Sequence, residues 1–317
     1  MNRRDFLVTG SAATAGLVLE GASLTPTGRT TAAGLTLEGA LLNPTGRTKP
    51  AAIVRGDLAE AQQFYRDAKY GQLADVLPAL VDHAHGLGDE AVKCQAFVLS
   101  AEHYLKIGNE RLAAYAAACA REAASKTGDP LCKANADWMT CVILRHAGQS
   151  RTGYELTERA AGELARAGLR DSITLATYGH LFLTSAYTAA KAGNSAAAHA
   201  YYAEAVDVST RFDHEQVHGL WYFGPKQTAQ YGISVANYLQ DVGGALAHAQ
   251  SVKPAALASV ERRERYWIDL AKTFITDGDH KRAAVALRSA CLVSPQSAAR
   301  PKVRRMAQTA GISLSSA

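Results

Sequence analysis

Nowhere in its 317 residues does this chain contain a C-x-x-C pair, although five cysteines are present: Cys94, Cys119, Cys132, Cys141 and Cys291. The odd number and wide spacing argue against a disulfide framework or a zinc knuckle and read as small buried residues in a reducing compartment. There is no phosphate-cradling glycine loop, no G-x-S-x-G elbow and no Cys/His nucleophile pair, so the common sequence signatures of an enzyme are missing. Period-two alternation is absent from about Asp57 onward, which speaks against a sheet-based fold. The apolar run from Phe6 to Leu19, about fourteen residues, is too short to span a bilayer. A dense basic face is lacking as well. The net charge is +5, but the excess sits in the first fifty residues and in Arg300, Lys302, Arg304 and Arg305 near the end. The body between is close to neutral, unlike a duplex-binding domain.

What is present at the start is a patterned tail. Met1-Asn2-Arg3-Arg4-Asp5-Phe6-Leu7 resembles the R-R-x-F-L core of a twin-arginine export signal, and export is the alternative to a cytoplasmic location. Glu20 ends the apolar run and no A-x-A cleavage site follows. The segment Ala15 to Thr30 recurs from Ala33 to Thr48, displaced by 18 residues and identical at 13 of 16 positions. So close a repeat suggests a recent tandem duplication. With turn signals at Pro26-Thr27-Gly28 and Pro44-Thr45-Gly46, residues 1–50 are expected to be a tail and linker of low structural content. Residues 51–310 form the repeat domain, and 311–317 a disordered tail.

In the body, apolar residues recur at helical spacing between short Gly, Asn or Asp turns. The fullest unit runs Trp267-x-x-Leu270-Ala271-x-x-Phe274, Gly278, Ala283-x-x-x-Leu287-x-x-Ala290 and Pro295, close to the whole tetratricopeptide pattern. Small residues at Ala271 and Ala283 allow two helices to cross closely. Gly108, Gly148 and Gly193 mark the central turns of similar units, Gly71 that of a degenerate first pair, and Asp241 that of a fifth. The expected fold is all-α, a right-handed superhelix of about six tetratricopeptide-like helix pairs, with an inserted loop from Phe212 to Pro225.

At Trp221-Tyr222-Phe223-Gly224-Pro225, and again at Glu261-Arg262-Arg263-Glu264-Arg265-Tyr266-Trp267-Ile268-Asp269-Leu270-Ala271, the chain resembles the C-terminal tetratricopeptide-like domain of actinobacterial, Streptomyces-type helix-turn-helix regulators. The resemblance covers roughly residues 55 to 310. It implies a non-catalytic regulatory domain that senses a ligand or partner and forms a homodimer. An R-R-x-F-L stretch often lies between reader and sensor in that family. The residues before Asp57 leave no room for a helix-turn-helix, so direct DNA binding by this chain is not expected.

Two motifs carry possible chemistry. His214-Glu215-Gln216-Val217-His218 matches H-E-x-x-H, in which two imidazoles one helical turn apart hold zinc and the glutamate activates water. Gly219 and Gly224-Pro225 interrupt the helix that this requires, and a zinc hydrolase is the minor alternative. Asp82-His83-Ala84-His85 closes an expected helix, where a last-turn histidine meets the helix dipole. No metal and no cofactor are expected. The better site is the concave groove, onto which the first helix of each pair presents its free face. Those positions are Gln95, Glu102, Lys106, Asn135, Arg145, His146, His180, Tyr187, Lys191, Arg265 and Lys272. Trp221 and Tyr222 either line the pocket or pack the core of the inserted loop. Cationic side chains with an asparagine suit a peptide carboxylate or another acidic group on a small ligand or protein partner.

Overall fold

The computed structural model describes residues 35–313. Arg3, Arg4, the Phe6 to Leu19 run and the first copy of the duplication lie outside the described residues, as do the last four residues of the tail.

The chain is built from paired helices. A short α1 (Leu37–Leu42) precedes α2 (Ala51–Arg66) and α3 (Tyr70–Leu87). The pairs α4 (Glu90–Ile107) with α5 (Glu110–Thr127), and α6 (Pro130–His146) with α7 (Ser150–Ala167), follow. Next come α8 (Ser172–Lys191) with α9 (Ser195–Ser209), α10 (Pro225–Tyr238) with α11 (Val242–Gln250), and α12 (Val260–Thr276) with α13 (His280–Val293). A last helix, α14 (Pro301–Thr309), folds back onto the final pair. Consecutive helices pack against one another along the array, as repeat architecture requires.

One local device makes all six hairpins. At the end of each first helix a backbone N–H reaches back five residues, as from Asn109 to the Tyr104 carbonyl at 2.9 Å and from Asp279 to the Phe274 carbonyl at 2.8 Å. This closure needs a left-handed residue one step earlier, supplied by Gly108, Gly148, Gly193 and Gly278 at φ between 76° and 82°. The following Asn109, Asn194, Asp241 or Asp279 then caps the second helix with its side chain. Two of the expected turns differ in detail. The first pair turns at Ala68 (φ 56°), and Gly71 lies inside α3; the fifth turns at Gln240 (φ 60°) just before Asp241. A non-glycine residue in this conformation costs roughly 1 kcal/mol, which neighbouring packing offsets.

Two sequence expectations are corrected. The stretch assigned to a linker is docked from Leu35 onward. Thr36 caps α1, Leu37 and Leu41 are buried against the body, and the Pro44-Thr45-Gly46 turn is bound to α3. There Asp82, fully buried, accepts from the backbone N–H of Thr45 (2.6 Å) and Gly46 (2.9 Å) and from the Thr45 hydroxyl (2.7 Å). Gly86 permits this approach: a Cβ there would lie 2.4 Å from the Arg47 carbonyl oxygen. The second correction concerns the inserted loop, which contains a β-hairpin, β1 (Gln216–His218) with β2 (Trp221–Phe223), antiparallel with Val217 opposite Tyr222.

The apolar core forms two clusters, one from Leu37 to Val235 and one from Ile233 to Ala310. A polar seam runs between α10 and α12. Ser234 donates to the Asp269 carboxylate at 2.6 Å, Asn237 to the Asp269 carbonyl at 2.9 Å, and Thr273 to the Asn237 side chain at 2.9 Å. The array also curls until its ends meet. Lys106 of α4 pairs with Glu261 of α12 at 2.9 Å, α12 touches α2, and Arg66 of α2 donates to the Gly219 carbonyl at the hairpin tip at 2.6 Å.

Candidate functional site

The curled array encloses a central cavity of about 490 Å³, lined by α4, α6, α8, α10 and α12, with Tyr65 of α2 and the start of α14 completing the wall. These are the first helices of the pairs, so the inner faces of successive repeats converge on one space. That volume falls in the range of small-molecule pockets.

Seven sequence-nominated residues line it: Glu102, Lys106, Arg145, His146, Tyr187, Lys191 and Arg265. Lys272 stands beside it with its ammonium 3.5 Å above the Tyr238 ring. The other five nominees do not line the cavity, and for Asn135, His180, Trp221 and Tyr222 the reason is the hairpin. Trp221 stacks on His180 (4.6 Å, 9° between planes) and its indole N–H donates to Asn135 at 3.3 Å. Phe223, fully buried, sits on Gly179 of α8, where a Cβ would come within 2.1 Å of the ring. Gln95 accepts from Gln62 at 3.1 Å, and Gly219 lies close to Gln62. The hairpin therefore spans α2, α6 and α8, with Asn135 and His180 beneath it. Trp221 and Tyr222 take the core role of the two left open by their sequence. Burial, with Arg262 and His218 nearby, depresses the His180 imidazole to about 3, which keeps it neutral.

The lining residues that the sequence reading missed include Glu261, Arg262 and Asp269 of α12, next to the nominated Arg265, and the inner faces of α10 and α14. Gln227, Gln230, Tyr231, Ser234 and Tyr238 recur along α10 at helical spacing, a pattern that marks one inner face. Arg300, Lys302 and Arg305 enter because α14 folds back over the cavity.

At one end Glu261 is held between Lys106 and Arg262. Burial alone would raise its carboxyl, but the two cations outweigh burial and hold it well below the usual carboxylate range. Nearby, Arg300 pairs with Glu264 at 2.8 Å. At the other end stands Tyr187. Its hydroxyl accepts from Arg265 at 3.1 Å and faces the Tyr238 hydroxyl at 3.2 Å, while the Arg145 guanidinium lies 4.5 Å from its ring centre. Arg265 is braced by Asp269 at 2.9 Å. Burial pushes the Tyr187 phenol up, yet Arg265, Arg145 and Lys302 overcome this and bring it down to about 7. Lys191 and Lys302 are both lowered, first by burial and then by neighbouring arginines.

The two histidine motifs take other roles. Glu215 is no water activator: its carboxylate accepts from the N–H of Lys226 (2.9 Å) and Gln227 (3.3 Å), capping α10. His218 lies in β1 against the Trp221 ring, so the two imidazoles are not one helical turn apart as the zinc motif demands. Among the described residues no group of three or more His, Cys, Asp and Glu side chains is arranged to hold a metal. His85 does lie in the last turn of α3, but burial and Lys93 lower its pKa, favouring the neutral ring. No helix among the described residues is long and apolar enough to cross a membrane.

No family profile and no curated protein matches the chain. Among solved structures it is similar to BtubC (BKLC) from P. vanneervenii, with 17% sequence identity over 76% of this chain and 91% of that one. The TM-score of 0.42 makes the likeness too loose to carry a functional argument.

Proposed function

We propose that the chain is a non-catalytic, regulatory binding protein whose ligand occupies the central cavity of the helical array. The observation that supports this is the convergence of the inner faces of α4, α6, α8, α10 and α12 on a single polar space. Contact between the array's ends, and the hairpin lying over His180 and Asn135, favour a small ligand over a long peptide laid along an open groove. The resemblance to regulator sensor domains suits this role, and with it a homodimer, which light scattering would check.

The test is to purify the chain from its own cells under native conditions, denature it, and identify released small molecules by mass spectrometry. Leu105→Trp, adding bulk at a half-buried wall position, is the control. Specific enrichment in the wild type supports the reading, and equal profiles from the two chains would refute it. A hydrolase at His214 and His218 is not proposed, because that segment is engaged in the hairpin and in capping α10.

A further inference from the structure

We propose that the ligand is a compact oxyanion carrying two or more negative charges, seated among Arg145, Lys191, Arg265 and Lys302, with an uncharged polar body reaching Gln227 and Gln230. This deepens the ligand-binding reading above and rests on it.

The charges lining the cavity do not balance. The lining of the whole cavity holds eight lysines and arginines against four carboxylates. The imbalance is concentrated around Tyr187, where Arg145, Lys191, Arg265, Lys272 and Lys302 face two carboxylates: Asp269, already engaged by Arg265 and Ser234, and Glu110, close to Lys191. Helix ends offset part of this. The C-termini of α6 and α8 point here, and Lys191 donates to the Arg145 carbonyl at 2.9 Å. Each terminus contributes roughly half a negative charge, so about two positive charges remain. Crowded cations partly withdrawn from water and short of counter-charge repel one another, and an anion of two or more charges is the complement that relieves this. The depressed Tyr187 phenol agrees: the site favours even a phenolate as partial counter-ion.

Gln227 and Gln230 are each 2% exposed and both line the cavity. The Gln230 amide nitrogen donates to the Arg262 carbonyl at 2.6 Å, while its oxygen has no partner; the Gln227 amide nitrogen has none either. Buried amide groups of this kind are normally satisfied. One orphan donor and one orphan acceptor match a hydroxyl, which can accept from Gln227 and donate to Gln230. Phosphorylated and polycarboxylated hydroxy compounds share this chemistry.

Calorimetry of the full chain with pyrophosphate, and separately with citrate, at about pH 8 in chloride-matched buffer tests it. Tyrosinate difference absorbance is followed in parallel, since a phenol with a pKa of about 7 is mostly ionised there. The expected result is saturable binding of at least one probe, with loss of tyrosinate signal that is absent in Tyr187→Phe. Affinity should fall on the order of tenfold or more in Arg145→Gln/Lys302→Gln, chosen because neither side chain has a carboxylate partner. Preference for pyrophosphate assigns a phosphate head, and preference for citrate a polycarboxylate. Absence of saturable binding of both, or undiminished binding in the double variant, overturns the proposal. An uncharged molecule released from the native protein overturns it too, while leaving the ligand-binding reading intact.

Discussion

Replacing Asp82 by alanine should release the segment ahead of α2 without unfolding the array. The carboxylate is fully buried and accepts three short hydrogen bonds from Thr45 and Gly46, with a weaker one from the Arg47 N–H at 3.4 Å. A hydrogen bond to a charged group nets about 1.5–3 kcal/mol, but the three share one acceptor and are not additive. Burying the carboxylate costs several kcal/mol in return. Alanine removes both terms and leaves two N–H groups facing a void, for a net loss of about 3 kcal/mol. Because Leu37 and Leu41 remain to hold α1, the loss should appear as local opening. Hydrogen exchange at residues 45–47 should then accelerate by roughly two decades, while α5 stays unchanged. Asp82→Asn, which keeps one acceptor oxygen, should cost about half as much. The pH dependence has a definite sign. Burial would raise this carboxyl, but the bonds from Thr45, Gly46 and Arg47 hold it below the usual range. Its stabilisation is complete above the ordinary carboxylate pKa and disappears as pH falls through the lowered one. Unchanged exchange at 45–47 in a folded Asp82→Ala chain would refute the reasoning.

Gly179→Ala should destabilise by about 2–4 kcal/mol in urea melts, because the new methyl meets the buried Phe223 ring at 2.1 Å; a loss under 0.5 kcal/mol would contradict the seating of the hairpin. Glu261→Gln should cost about 3–5 kcal/mol by leaving Lys106 and Arg262 without their buried anion, whereas Lys106→Met, which leaves Arg262 in place, should cost clearly less; equal losses would be inconsistent with that arrangement. In an unliganded chain the Tyr187 phenol, lowered to about 7, should add stability progressively between about pH 7 and pH 10, and Tyr187→Phe should flatten that rise in pH-dependent melts. His214→Ala/His218→Ala should leave bound zinc, measured on the purified chain, no different from wild type, since Glu215 is committed to α10.

The repeat plan was legible because a tight turn between antiparallel helices needs a left-handed residue followed by a side-chain cap, and Gly108-Asn109, Gly193-Asn194 and Gly278-Asp279 write that need directly into the sequence. The first pair was blurred because Ala68 holds the left-handed position by packing instead of by glycine. Inner-face residues on α4, α6, α8 and α12 followed from helical period. Asn135 and His180 were misplaced because of a long-range contact that no local pattern encodes, the return of the 216–223 hairpin across helices distant in sequence, and the same contact decides the core role for Trp221 and Tyr222. The α10 face, by contrast, was readable in its spacing. Lys302 and Arg300 were not, since their place depends on α14 folding back.

The meeting of α4 with α12, and of Arg66 with the hairpin tip, changes how the molecule must come apart. An open array of helix pairs behaves as a chain of nearest-neighbour couplings and can fray from either end. Here the terminal units are coupled directly across more than 150 residues of sequence. A ring has no end from which to unzip, so heat or denaturant should melt it in one concerted transition. Its assembly must wait for contacts of large sequence separation, which makes it slower to fold than a helical protein of purely local contacts.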